Sequence, residues 1–120
     1  MIMCQPPTER RDAPETVPDT AAECRTMDEV RAAIDRIDRE VVALLAERGG
    51  YVRQAGRIKD RRERIVDPPR IEDVVAKVRN HAQARGLAPD LVEAVYRVMI
   101  ARFIDLETVE FDRLHDGPAD

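Results

Sequence analysis

From Met27 to Lys59 the chain runs 33 residues without a proline, and its apolar side chains recur at a four-then-three spacing: Val30, Ile34, Ile37, Val41, Leu44, Tyr51, Ala55 and Ile58. That spacing keeps one face of an α-helix apolar. Thr26 is placed to cap the helix, and Asp28 and Glu29 suit the positive end of its dipole. Gly49 and Gly50 each cost about 1 kcal/mol against Ala inside a helix. The stripe nevertheless resumes at Tyr51, so one continuous helix over 27–59 is predicted. Such a helix is about 48 Å long, and its length governs everything that follows.

The rest of the chain is too short to cover it. Asp60-Arg-Arg-Glu-Arg-Ile-Val66 is charged and off the stripe, which suits a mobile loop. Asp67-Pro68-Pro69 then opens a second helix, with Ile71, Val74, Val75 and Val78 on its apolar face up to Arg85, and Gly86 as its left-handed terminator. Pro89 opens a third helix, whose stripe of Leu91, Val92, Val95, Met99, Phe103, Leu106 and Val109 runs to about Leu114. No strand pattern or internal repeat survives this reading, so the class is all-α, a three-helix chain with one long N-terminal helix. The second and third helices, roughly 18 and 25 residues, cover only part of the first. A homodimer with the long helices antiparallel is the simplest way to bury the remainder. Residues 1–26, with Pro6, Pro7, Pro14 and Pro18 and few large apolar side chains, read as a disordered lead-in, and 115–120 as a flexible C-terminus. The folded domain spans 27–114.

One position breaks the long stripe. Arg48 lies between Leu44 and Tyr51, where the spacing predicts an inward-facing residue. Burying a lone guanidinium costs several kcal/mol, so an anionic side chain or an anionic ligand is expected to meet it. Lys59 is eleven residues further on, almost three turns, and projects from nearly the same face about 16 Å away along the axis. It either holds the other end of a small anion or simply ends the helix favourably. The chain has eighteen Arg and only two Lys, so an ammonium at this place stands out. On the third helix Glu107 ends a row with Ile100 and Ile104, either as a salt-bridge partner for Arg48 or as a carboxyl with a raised pKa in an apolar pocket. Arg31, roughly 25 Å from Arg48, is too far to serve the same ligand within one chain. It is either a solvated residue or a group that reaches a partner's site.

Composition excludes several classes. The net charge of −4 is spread over 37% charged residues with the basic ones interleaved among acids, and there is no Trp and only two Tyr and two Phe. Nucleic-acid binding has little support from such a surface. No stretch approaches the roughly 18 apolar residues of a membrane span, and a cytoplasmic location is expected. Cys4 and Cys24 are read as free thiols, and the isolated His81 and His115 make a metal site improbable.

The run from Val30 to Arg48, then Arg57-Ile-Lys59, then Asp67-Pro-Pro-Arg70, is similar to the all-helical (type II) chorismate mutases and to their close relative, isochorismate pyruvate lyase. The resemblance covers residues 27–114. It implies an intertwined homodimer whose two sites are each completed by Arg31 of the other chain. It further implies that Arg48 and Arg31 bind two carboxylates, that Lys59 donates to the ether oxygen of the breaking bond, and that Arg70 lies by the loop that admits substrate. Ala55, Asp67 and Ile104 are implied as further substrate-binding positions. No cofactor or metal is implied, because a pericyclic rearrangement is intramolecular. The activity implied first is chorismate to prephenate, with Lys59, Glu107 and Arg48 catalytic. Isochorismate cleavage to salicylate and pyruvate is the alternative, and a mutase of the 4-amino analogue is a third. A non-catalytic helical dimerisation or ligand-sensing module is the reading from another class. Two departures bear on the choice: Glu107 stands where many members carry Gln, and Ile71 stands where the usual mutase loop has Glu.

Overall fold

A computed structural model describes residues 21–115. The expected lead-in falls mostly, and the expected flexible C-terminus almost wholly, outside the described residues. Three helices form in chain order: α1 (Met27–Ile58), α2 (Pro68–Ala84) and α3 (Pro89–His115). Their ends follow local chemistry. The Thr26 hydroxyl accepts from the Glu29 N–H at 3.1 Å, and the Glu29 carboxylate accepts from the Arg25 N–H at 2.7 Å, so both donors at the start of α1 are satisfied. Asp67 caps α2 by accepting from the Arg70 N–H at 3.1 Å, with Pro68 and Pro69 in the first turn, where their missing N–H groups cost nothing. At the other end Gly86 adopts φ 75°, Leu87 N–H donates to the Ala82 carbonyl at 2.9 Å and Gly86 N–H to that of Gln83 at 3.2 Å, the paired closure that a left-handed glycine permits. α3 continues one residue beyond the expected Leu114, and His115 stacks on Phe111 with ring centroids 3.9 Å apart.

α3 lies between α1 and α2 and packs on both. Val75, Ala82, Ile100 and Phe111 are buried in this packing. The face that α1 turns toward α3 shares only part of the stripe read from the sequence, Arg48 and Ala55 among it. Gly49 and Gly56 are its buried residues, while Ile34, Ile37, Val41, Leu44, Tyr51 and Ile58 are exposed in the single chain. The physical reason is close approach: a Cβ at Gly49 would lie 3.3 Å from the Phe103 ring, and one at Gly56 3.0 Å from the Glu107 carbonyl oxygen. Of the two glycines that looked like interruptions, Gly49 is contact surface and Gly50 is not, and Gly56 is the second contact glycine.

Two other expectations change. The segment 60–66 is not a free loop: Arg62–Arg64 form a 3₁₀ turn, Ile65 is buried, and the Arg62 guanidinium pairs with Asp112 on α3 at 3.1 Å. An apolar residue in a charged run anchors it to the core. Cys24 is disulfide-bonded, so the free-thiol reading does not hold there; Cys4 lies outside the described residues. No helix of the described residues is long and apolar enough to cross a membrane.

Candidate active site

α1 ends at Ile58, and Lys59, in extended conformation with its N–H donating to the Ala55 carbonyl at 3.0 Å, is the residue that turns the chain away from the helix. Its ammonium is therefore held at a junction instead of on a solvated face. It donates to the Glu107 carboxylate at 2.6 Å, and Glu107 is only 7% exposed. The pair forms because Gly56, three residues before Lys59, lets the α1 backbone come up against α3 at Glu107. The sequence offered Arg48 as the partner of Glu107; the structure pairs it with Lys59.

These side chains open onto a cavity of about 330 Å³. Its apolar wall comes from every segment: Val52 and Ala55 on α1, Ile65 after the 3₁₀ turn, Ile71 and Val74 on α2, and Ile100, Phe103 and Ile104 on α3. Its polar groups are Arg48, Tyr51, Lys59, Asp67, Arg70 and Glu107. Seven of the eight positions expected from the sequence thus meet in one cavity: Arg48, Ala55, Lys59, Asp67, Arg70, Ile104 and Glu107. Arg31 does not; it is exposed near the start of α1.

Most of the charges are already committed within the chain. Asp67 caps α2, Arg70 lies 2.8 Å from Asp73, and Glu107 holds Lys59. Arg48 is the exception. It is half-buried rather than sealed, its guanidinium carbon is 4.8 Å from the centroid of the Phe103 ring, and no carboxylate among the described residues lies against it. A cavity of this size, mostly apolar with an uncompensated guanidinium and an ammonium on one side, suits a small cyclic anion.

Outside the cavity, Glu110 is buried beside Arg113 at 2.8 Å and Arg57 at 3.7 Å. Its hydrogen bond to Arg113 holds its carboxyl below the usual range despite burial, with the charges of Arg57 and Arg53 adding. This cluster fixes the last turn of α1, from which Lys59 projects. Sequence reasoning missed Val52, Ile65 and Gly56 as site-forming residues. Only Gly56 carried a signal, as the residue three before Lys59, and a glycine registers as a weak point in a helix rather than as a contact.

The fold and cavity define a small all-helical protein with an apolar, cation-bearing cavity between its helices. Residues 30–108 match the family model for chorismate mutase type II, and the chain belongs to that family. It is 31% identical over 100 residues to an isochorismate pyruvate lyase of Pseudomonas aeruginosa, a match covering 83% of this chain and 98% of that protein.

Proposed function

We propose that the cavity binds chorismate and rearranges it to prephenate. The observation that carries this reading is the uncompensated Arg48 in an apolar cavity that also holds Lys59, a guanidinium for a carboxylate and an ammonium for the ether oxygen. Arg48 takes one carboxylate as a bidentate partner. Lys59 turns from Glu107 to the ether oxygen, where negative charge develops as the carbon–oxygen bond breaks and the new carbon–carbon bond forms. Holding both ends of the molecule selects the compact reactive conformer, which removes much of the entropic part of the barrier. Glu107 donates a second hydrogen bond to the same oxygen when it carries a proton.

The second carboxylate needs a cation besides Arg48 and Lys59, and Arg70 is already paired with Asp73. In a dimer with antiparallel α1 helices, Arg31 of the partner subunit supplies it, and the exposed apolar side chains of α1, among them Ile34 at 52% and Leu44 at 64%, become the interface.

Two observations favour a second reading, loss of pyruvate from isochorismate with aromatisation of the ring to salicylate. Ile71 places an aliphatic wall in the cavity, and the chain matches a lyase along nearly that protein's whole length. The same clamp serves either reaction. Chorismate and isochorismate supplied separately, with prephenate, salicylate and pyruvate all followed, decide between them. Prephenate from chorismate as the faster reaction supports the mutase; salicylate plus pyruvate from isochorismate supports the lyase; no turnover of either removes both.

A further inference from the structure

Arg48 is held in the cavity without the carboxylate that nearly always accompanies a half-buried guanidinium. On its own helix the neighbouring face positions are Leu44, Leu45, Tyr51 and Val52, none of them acidic. Elsewhere in the chain the half-buried Arg79 is neutralised, 2.7 Å from Glu93. Arg48 has the Phe103 ring instead, 4.8 Å from its guanidinium carbon. Independently, the ring has been given room at that spot by the residue next to Arg48. Gly49 is buried, and a Cβ there would meet Phe103 Cε1 at 3.3 Å.

We propose that Phe103 is the positioning residue for Arg48: its ring supports the guanidinium by a cation–π contact, fixing it in the cavity while leaving its N–H donors for a ligand carboxylate. The proposal rests on reading the cavity as a site for a cyclic dicarboxylate. An aromatic ring does this where an acid cannot. A carboxylate would hold Arg48 in place but would also occupy its donors and cancel its charge, so every ligand would have to displace it. The ring accepts no in-plane hydrogen bond, and it restrains a long side chain that would otherwise lose its rotamer freedom only on binding. Gly49 and Phe103 thus form one device, a glycine that admits the ring and a ring that carries the cation.

The test uses the whole chain and calorimetric titration with benzene-1,3-dicarboxylate, an unreactive dianion, so it does not depend on which reaction the protein performs. Wild type is expected to bind. Phe103→Leu is expected to weaken binding about tenfold and Phe103→Tyr less than threefold, because tyrosine keeps the π face. With the ligand taken into the millimolar range, Phe103→Leu in an Arg48→Gln background is expected to change binding less than twofold. Phe103→Met repeats the measurement if the leucine variant melts below the assay temperature. The proposal is overturned if wild type does not bind the dianion, if the leucine and methionine variants bind as tightly as wild type, or if the tenfold loss persists without Arg48. Failure to turn over chorismate or isochorismate bears on the reaction and leaves this binding result standing or falling by itself.

Discussion

Lys59 and Glu107, 48 positions apart in the chain, are joined by a 2.6 Å hydrogen bond across the junction of α1 and α3. Within the chain the carboxylate is the partner of the ammonium. When an ether oxygen takes that place, an amide at position 107 can donate to it where a carboxylate accepts. Glu107→Gln is therefore expected to keep turnover of chorismate, whereas Glu107→Leu, which neither donates nor pairs with Lys59, is expected to lower kcat/KM at least about tenfold. Steady-state kinetics of the two folded variants check this, and an equal loss of activity in both would contradict it.

Gly50 and Gly56 are both helical, yet they predict opposite outcomes. Nothing lies within 4 Å of a Cβ built at Gly50, so Gly50→Ala is expected to stabilise the protein by about 0.5–1 kcal/mol through helix propensity. At Gly56 the obstacle is the Glu107 backbone carbonyl at 3.0 Å, which cannot rotate away. Gly56→Ala is expected to cost about 1–3 kcal/mol and to lower activity by displacing Lys59 from Glu107. Urea melts of the two variants give the sign directly.

Acid should weaken the α2–α3 contact. Across that contact the hydrogen bond from Arg97 holds Glu72 below its ordinary pKa, and Arg97 and then Arg79 do so for Glu93; within α2, Lys77 followed by Arg70 does so for Asp73. Groups with depressed folded-state pKa values contribute stability that is fully present above the unfolded value, near about 4, and is lost as pH falls through the folded one. Urea midpoints are expected to be flat from pH 7 to 5 and to drop below about pH 4. Arg97→Gln should make that acid drop shallower, since Glu72 loses its partner and Glu93 loses one of its two.

If Arg31 serves the neighbouring subunit's cavity, then Arg31→Ala and Lys59→Ala fail in different sites of a mixed dimer. Each variant alone is expected to be nearly inactive. Mixed and reassociated in equal amounts they should recover about one quarter of the wild-type rate, because half of randomly paired dimers are mixed and each then holds one complete site. Absence of recovery, with mixed dimers shown by mass spectrometry, would mean that each chain completes its own site.

Much of this was readable in the sequence, and the exceptions have a common cause. Arg48, Lys59 and Glu107 stood out because a charge in an apolar row breaks a periodic pattern. The helix ends were legible because Thr26, Asp67, Pro68 and Gly86 act through neighbouring backbone groups. Packing partners were not legible. The stripe of Ile34, Val41 and Leu44 looks the same whether it meets its own chain or another; periodicity gave its face but not its partner, and it is exposed in the single chain. Gly49 and Gly56 carry no hydropathy signal, and their role exists only through Phe103 and Glu107 on a distant helix. Ile65, one apolar anchor in a charged run, gives no period at all. The pairing of Glu107 with Lys59 rather than Arg48 depends on a backbone approach so close that a Cβ at Gly56 would lie 3.0 Å from the Glu107 carbonyl oxygen, which no spacing rule encodes.

The most direct measurement is the turnover of chorismate to prephenate by wild type, Arg48→Ala and Lys59→Ala, with circular dichroism to confirm that each folds. Wild type is expected to form prephenate, and each variant to lose at least about 10²–10³-fold in kcat/KM, the loss expected when a preorganised charge is removed from a developing anion. Folded variants that convert chorismate as fast as wild type would contradict the assignment of this cavity as the site of reaction.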